Sequence, residues 1–341
     1  MHTQSNQKSR IIDIALQAGV STATVDRVLN GRGGVRGSTE QKVQAAIRTL
    51  QGALSRPQII PSVASNGEID VVMAGGSGFA NETVARELLK IARDRSVRLR
   101  STYPRKLDPH ALVAALRVRR EEGSSGIIVQ ALDHPLVRQE IAAIHVAGIP
   151  VISLLTRLPG VETLGYVGLD NEAAGRSAGL LMNRLIREPG GVAVFACGPI
   201  YHSHEQREGG FRKILRQERE NLTLLPQFES RDDPDRSYRM ARNLLASKPD
   251  LKGLLNIGSG NRGIEKALLE SGRQHEIIYI CFNLTPLTRQ ALQSGVLDAV
   301  VHQDMGRAAH GAINAMINHI SGRPCSFPPV PVEIIMRENL R

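Results

Sequence analysis

From Glu68 onward, short apolar runs alternate with longer stretches whose apolar residues recur at helical spacing. The runs predict strands at Ile69–Ala74, Val97–Tyr103, Gly126–Leu132, Pro150–Leu155, Gly165–Leu169, Val192–Ala196, Gly253–Ile257, Ile277–Phe282 and Ala299–His302. Between them, Asn81–Arg95, Pro109–Glu122, Glu172–Ile186 and Arg207–Gln217 read as amphipathic helices. Continuous apolar strands separated by such helices predict parallel sheet covered on both faces, and ligands of such folds sit beyond the strands' carboxyl ends.

The first fifty residues carry a different pattern. Ile11, Ile12, Ile14 and Ala15 form one apolar face, Gly19 permits a sharp turn, and Ser21 stands where a second helix needs its cap. That helix has Val25, Val28 and Leu29 inward and Thr22, Ala23, Asp26, Arg27 and Asn30 outward. A third helix, from about Ser38 to Leu50, offers Val43, Ala46, Ile47 and Leu50 to close a small core. The spacing is that of a helix-turn-helix, and also that of a tight helical corner in an ordinary domain. In a helix-turn-helix the second helix enters the major groove, which assigns Thr22, Ala23 and Arg27 to base edges and Ser21, Thr24 and Asn30 to phosphate oxygens.

Asp13-Ile14-Ala15, Ala18-Gly19-Val20-Ser21, Thr24 to Asn30, Val35 and Thr39 to Val43 together closely resemble the DNA-binding headpiece of the lactose-repressor (LacI/GalR) family of bacterial transcription regulators, over roughly residues 10–51. Asp26 departs from the serine usual there, and Gly31 to Arg36 resembles a subgroup that also has aspartate. Family members follow the third helix with a hinge helix that inserts a leucine into the minor groove. Pro57 and Pro61 are poorly compatible with such a helix, so an extended linker is expected across 52–67.

Val167 to Gly175 and Arg207-Glu208-Gly209-Gly210-Phe211 are similar to the effector-binding core of the same family, which shares its two-lobed fold with periplasmic sugar-binding proteins. The resemblance nominates Ser77, Phe79, Asp133, Ser153, Arg207, Asn283 and Gln303 as effector-binding residues. A guanidinium fork can hold two hydroxyls or a carboxylate, though Arg207 could instead form a surface ion pair with Glu205 or Glu208. Asn283 stands where sugar binders commonly have aspartate, and Leu155 or Thr156 where ribose binders have an Asp-Arg pair, so charge is lost from the site. A sugar, a polyol, a sugar acid or a small aromatic remains open as the ligand. Asp170-Asn171 reads more simply as a helix cap.

Composition narrows the classes. The 341 residues carry 43 Lys and Arg against 33 Asp and Glu, a formal charge of +10. Lys8, Arg10, Arg27, Arg32, Arg36, Lys42, Arg48 and Arg56 outnumber Asp13, Asp26 and Glu40 in residues 1–58, so half of the excess falls where phosphates would be met. Cys197, Cys281 and Cys325 form no Cys-x-x-Cys pair and imply reduced thiols. No apolar stretch is long enough to span a membrane and no signal-peptide core opens the chain, so a cytoplasmic protein is expected. The glycine-rich turns Gly75 to Gly78 and Gly258 to Asn261 lack P-loop spacing. His202-Ser203-His204-Glu205 is read as a loop, and neither a metal nor a cofactor is expected.

The expected architecture is a three-helix headpiece (1–51), a linker with a degenerate hinge (52–67) and a two-lobed α/β body with parallel sheets (68–341). The expected activity is that of a homodimeric regulator, a repressor by preference, that binds a double-stranded operator under control of a small polar effector and catalyses nothing. The alternatives are a sugar-phosphate enzyme fused to a DNA-binding head and a transport-associated binding protein.

Overall fold

The computed structural model describes residues 14–15, 18–29, 35–54, 68–74, 79–95, 97–218 and 221–340, with the side chains of 47–54 and 79–80 excepted. It divides into two compact units, Met1–Gln58 and Ile59–Arg341.

In the first unit Gly19 adopts φ +66°, the left-handed turn expected of it. Helix α1 (Thr22–Leu29) follows, and α2 spans Gly37–Leu54. Ile14, Ala15, Val25, Val43 and Ala46 form the core. Leu29 is a correction to the sequence reading: it is 45% exposed, at the last residue of α1, and only Val25 of that helix is fully buried. Helix α2 also runs past the expected Leu50, because Ala53 and Leu54 favour helix and no proline intervenes before Pro57. Ile11, Ile12, Asn30, Pro57 and Pro61 lie outside the described residues, as do the side chains of Ile47 and Leu50.

The second unit holds two sheets. The first has order β2-β1-β3-β4-β5 and is wholly parallel, from β1 (Ile69–Met73), β2 (Leu99–Thr102), β3 (Gly126–Gln130), β4 (Val151–Leu154) and β5 (Gly165–Val167). The second has order β12-β11-β10-β9-β6-β7, from β6 (Gly190–Ala196), β7 (Leu222–Leu224), β9 (Leu251–Asn256), β10 (Ile278–Phe282), β11 (Ala299–Gln303) and β12 (Val332–Ile335); β8 (Phe228–Glu229) also pairs with β6. Only β12 runs antiparallel.

Helices α3 (Phe79–Asp94), α4 (Pro109–Glu121) and α5 (Pro135–Val146) accompany the first sheet, and α6 (Asn171–Leu185), α7 (His202–Glu218), α8 (Pro234–Ser247), α9 (Asn261–Ser271) and α10 (Pro286–Ser294) the second. The last helix, α11 (Met305–Ile320), returns to pack on α3 before β12 rejoins the second sheet. The chain therefore crosses between lobes after β5, after β11 and after α11. A bridge between Leu169 and Val330 joins the first and third crossovers.

Local chemistry sets several helix starts. The Asp108 carboxylate accepts from the His110 and Ala111 amides at 3.0 and 3.1 Å, and Pro109 supplies the first helical residue. Asp233-Pro234 and Thr285-Pro286 repeat the device. Asp170 caps α6 through the Ala173 amide at 2.8 Å, as the sequence suggested. His202 to Glu205 is a second correction. These residues are the first turn of α7, not a loop, because the buried face of that helix begins with polar Ser203 and Arg207 before reaching Gly210, Phe211 and Leu215.

Candidate functional site

Arg207 is buried beside two of the crossovers that link the lobes. It sits on the second turn of α7, 5% exposed, with Nε donating to Asn171 Oδ1 at 2.8 Å and Nη2 to Gln303 Oε1 at 3.5 Å. Its guanidinium lies 4.4 Å over the Phe282 ring. Burial pulls its pKa down to about 10, opposed by Tyr166. The surface ion pair with Glu205 or Glu208 is not formed: Glu208 binds Arg212 and Gln227, and Glu205 faces His202.

Close helix packing puts Arg207 there. A Cβ on Gly175 would lie 2.0 Å from the Arg207 carbonyl oxygen, and one on Gly210 would lie 2.2 Å from that of Glu172. The two sequence runs singled out above are therefore the two sides of one α6–α7 contact. Asn171 Nδ2 donates to the Tyr166 hydroxyl at 2.9 Å, and that hydroxyl donates to the Leu169 carbonyl at 2.9 Å. Burial raises the Tyr166 pKa to about 12.

Gln303 ends β11 at the second crossover, 1% exposed, and its Nε2 has no partner among the described residues; Asn283 follows β10 with φ +69° and a buried Oδ1 likewise unpartnered among them. Leu155, directly after β4, shares the left-handed conformation at φ +64°. Such backbone costs of order 1–3 kcal/mol and is held by its surroundings. Asn283, Leu284, His302, Asp304 and Met305 line a cavity of about 340 Å³ with Thr83 and Glu87 of α3.

Asp133 also lies where the lobes meet, its amide donating to the Ile200 carbonyl at 2.8 Å, but its carboxylate is held by Arg138. Asp133, His202 and Glu205 bring one potential ligand atom each within 4.8 Å. The Arg138 charge on Asp133 and the positive end of α7 both oppose a cation there. Ser153 is buried within β4, and neither the side chain of Phe79 nor any part of Ser77 belongs to the described residues.

Four residues that sequence reasoning passed over, Tyr166, Asn171, His204 and Phe282, surround Arg207. His204 Nδ1 is shut off from solvent without a partner among the described residues; desolvation pushes its pKa down to about 4, aided by Arg207 and opposed by Asp232. Two further bonds close the lobes: Ser203 N to Thr156 Oγ1 at 3.2 Å, and Lys106 Nζ to the Asp232 carbonyl at 3.3 Å.

In the headpiece, Ser21 Oγ accepts from the Thr24 amide at 3.2 Å and lies 2.9 Å from the Thr24 hydroxyl. Thr22, Ala23 and Arg27 are exposed, and Thr24 is half-buried.

Residues 10–51 match the family of bacterial regulatory proteins of the lacI type, and residues 67–324 match the periplasmic binding protein domain. Over 42 residues the chain is 60% identical to the HTH-type transcriptional regulators MalR of Streptomyces coelicolor and reg1 of Streptomyces lividans, a match spanning 12% of this chain and 12% of each relative. Among solved structures, the glucose-galactose binding protein GanP of Geobacillus stearothermophilus superposes with TM-score 0.77 at 22% identity, covering 81% of this chain and 99% of that one. A solute binding protein from Burkholderia graminis in complex with D-arabinose gives TM-score 0.76 at 18% identity over 82% and 98%. The chain belongs to the periplasmic binding protein domain family and carries at its N-terminus the domain of the lacI-family bacterial regulators.

Proposed function

We propose that the protein is a cytoplasmic, homodimeric, sequence-specific DNA-binding transcription regulator, a repressor by preference, whose two-lobed body binds a small polyhydroxy effector. The observation that carries this reading is a Ser21-capped helix presenting Thr22, Ala23 and Arg27 outward, within a segment 60% identical to named transcriptional regulators. Thr22, Ala23 and Arg27 read base edges, while Ser21, Thr24 and Asn30 meet phosphates. The division into headpiece (1–51), linker (52–67) and body (68–341) lets two headpieces occupy the half-sites of a pseudo-palindrome. Effector and operator affinities are then coupled reciprocally, typically by ~1–3 kcal/mol.

Arg207 and Gln303, which bond to each other, and Asn283, which follows β10 and lines the cavity, are the effector contacts this reading rests on; the Asp133 carboxylate is committed to Arg138, while its amide donates to the Ile200 carbonyl of the other lobe. The test is selection of genomic duplexes by the purified full-length protein, followed by titration at several salt concentrations. Affinity for the selected duplex should fall steeply between ~50 and ~200 mM salt, and Arg27→Ala should cost roughly 1–3 kcal/mol on that duplex and less on random DNA. Retention of no duplex overturns the reading.

A further inference from the structure

The effector's chemical class can be read from the charge balance of the cleft, given the proposed reading of the body as an effector-binding unit. Most cations where the lobes meet have a carboxylate supplied by the chain. Arg138 holds Asp133, and Lys106 Nζ lies 3.9 Å from Asp232 Oδ2. Arg157 stacks 4.9 Å over the Tyr166 ring and is exposed, so water serves it. Arg207 alone is both buried and without a carboxylate partner among the described residues, which include every acid of the second unit except Glu220. Its hydrogen-bond partners are two neutral amides, Asn171 and Gln303, and a ring faces it on one side. A buried charge left without a counter-ion is destabilising by several kcal/mol, so a site that keeps one is matched to an anion that arrives with the ligand.

The neighbouring groups refine the class. Gln303 Nε2 is a buried donor and Asn283 Oδ1 a buried acceptor, each without a partner among the described residues. Hydroxyl groups satisfy both kinds at once. His204 is held neutral by burial and adds no second positive charge. One uncompensated cation balances one negative charge, whereas a phosphate ester brings close to two at neutral pH.

We infer that the effector is a monoanionic polyhydroxy carboxylate, an aldonic or uronic acid, whose carboxylate is held by Arg207 while its hydroxyls meet Asn283 and Gln303.

The test uses the full-length protein and matched probes differing at one carbon: D-glucose, D-gluconate and D-glucuronate; D-galactose, D-galactonate and D-galacturonate; and D-glucose 6-phosphate. Binding is read by melting temperature and by calorimetry, since a ligand of the folded state raises the first by mass action. At least one acid should bind, its neutral parent and the phosphate ester more weakly by roughly 10–100-fold, the range expected for a charge-assisted contact. Arg207→Gln should remove the preference for the acid over its parent, and Arg207→Lys should retain part of it. The inference is overturned if no acid binds, if a neutral sugar binds as tightly as its acid, or if folded Arg207→Gln keeps the discrimination. Should Arg207→Gln not fold, the wild-type comparison decides alone. Duplex binding is measured on the same samples: its loss counts against the regulator reading, while intact duplex binding with a neutral-sugar preference removes only this inference.

Discussion

Gly209 and Gly210 are neighbours on α7, and the structure gives one substitution opposite signs at the two positions. A Cβ on Gly209 meets no heavy atom within 4 Å. Alanine there only restricts the unfolded chain and favours helix, a gain of up to ~1 kcal/mol. A Cβ on Gly210 would lie 2.2 Å from the Glu172 carbonyl oxygen and 3.0 Å from the Arg176 amide nitrogen, both backbone atoms of α6. Neither can rotate away, so the helices have to part by roughly 1 Å to restore ordinary contact. Overpacking of that kind costs ~1–3 kcal/mol, which exceeds the propensity gain. Urea denaturation of the full-length protein should therefore place Gly209→Ala above the wild type and Gly210→Ala below it, at unchanged slope. The melting temperatures should separate in the same order, by roughly 2–4 °C for each kcal/mol. Gly210→Ala should also weaken effector binding, because Arg207 sits one turn away and its 2.8 Å bond to Asn171 spans the same contact. Two shifts of the same sign would refute the reasoning.

Two other perturbations test the electrostatics. His204 has a folded pKa of about 4 against the ordinary histidine value of 6.5, so the unfolded chain binds more protons between these values. Its contribution is present above pH 6.5 and is lost progressively as the pH falls toward 4, to at most about 3 kcal/mol. Urea titrations between pH 7 and 5 should show this slope in the wild type and a shallower one in His204→Gln; equal slopes would assign the loss to other groups. In the first lobe, Arg100 donates from Nε and Nη2 to the two oxygens of fully buried Asp70 at 2.6 and 3.0 Å. Arg100→Ala strands that carboxylate and should cost ~3–5 kcal/mol, toward the lower end because Arg119 Nη1 lies 3.6 Å away; a loss under about 1 kcal/mol would contradict the assignment.

The nine expected strands all occur: the inner ones are runs of mainly apolar residues buried on both faces, whereas the edge strands β2 and β5 are only partly buried. Three others were illegible for physical reasons. The strands β7 and β8 are three and two residues long, too short to carry a period. The strand β12 emerges from Pro328-Pro329-Val330-Pro331, which argues against a strand unless it lies at an edge with one partner, as it does. The site divides in the same way. Arg207 was legible from its motif and from the two-pronged grip a guanidinium offers a polar ligand, and Asn283 and Gln303 from their places after strands. Asn171 was not, because capping explained it without any further role, although Asp170 does the capping and frees Asn171 to turn inward. His204 was hidden by a polar helix turn that carries no apolar period, and Tyr166 and Phe282 by strands in which one aromatic residue looks like any other core residue.

The placement of Arg207's partners gives the cleft a route to the rest of the body. Asn171 is the first residue of α6, immediately after the crossover that leaves β5, and Gln303 is the last residue of β11, immediately before the crossover that enters α11. Closure of a two-lobed body changes backbone angles chiefly at such connections. On the proposed reading, a ligand that engages the Arg207 guanidinium would compete with, or tighten, bonds to residues flanking two of the three crossovers. The α6–α7 glycine contact prevents α7 from yielding independently, because its backbone already lies against α6. If the proposed effector binds at Arg207, the charge it delivers would bias lobe geometry, by no more than the difference in its affinity for open and closed arrangements.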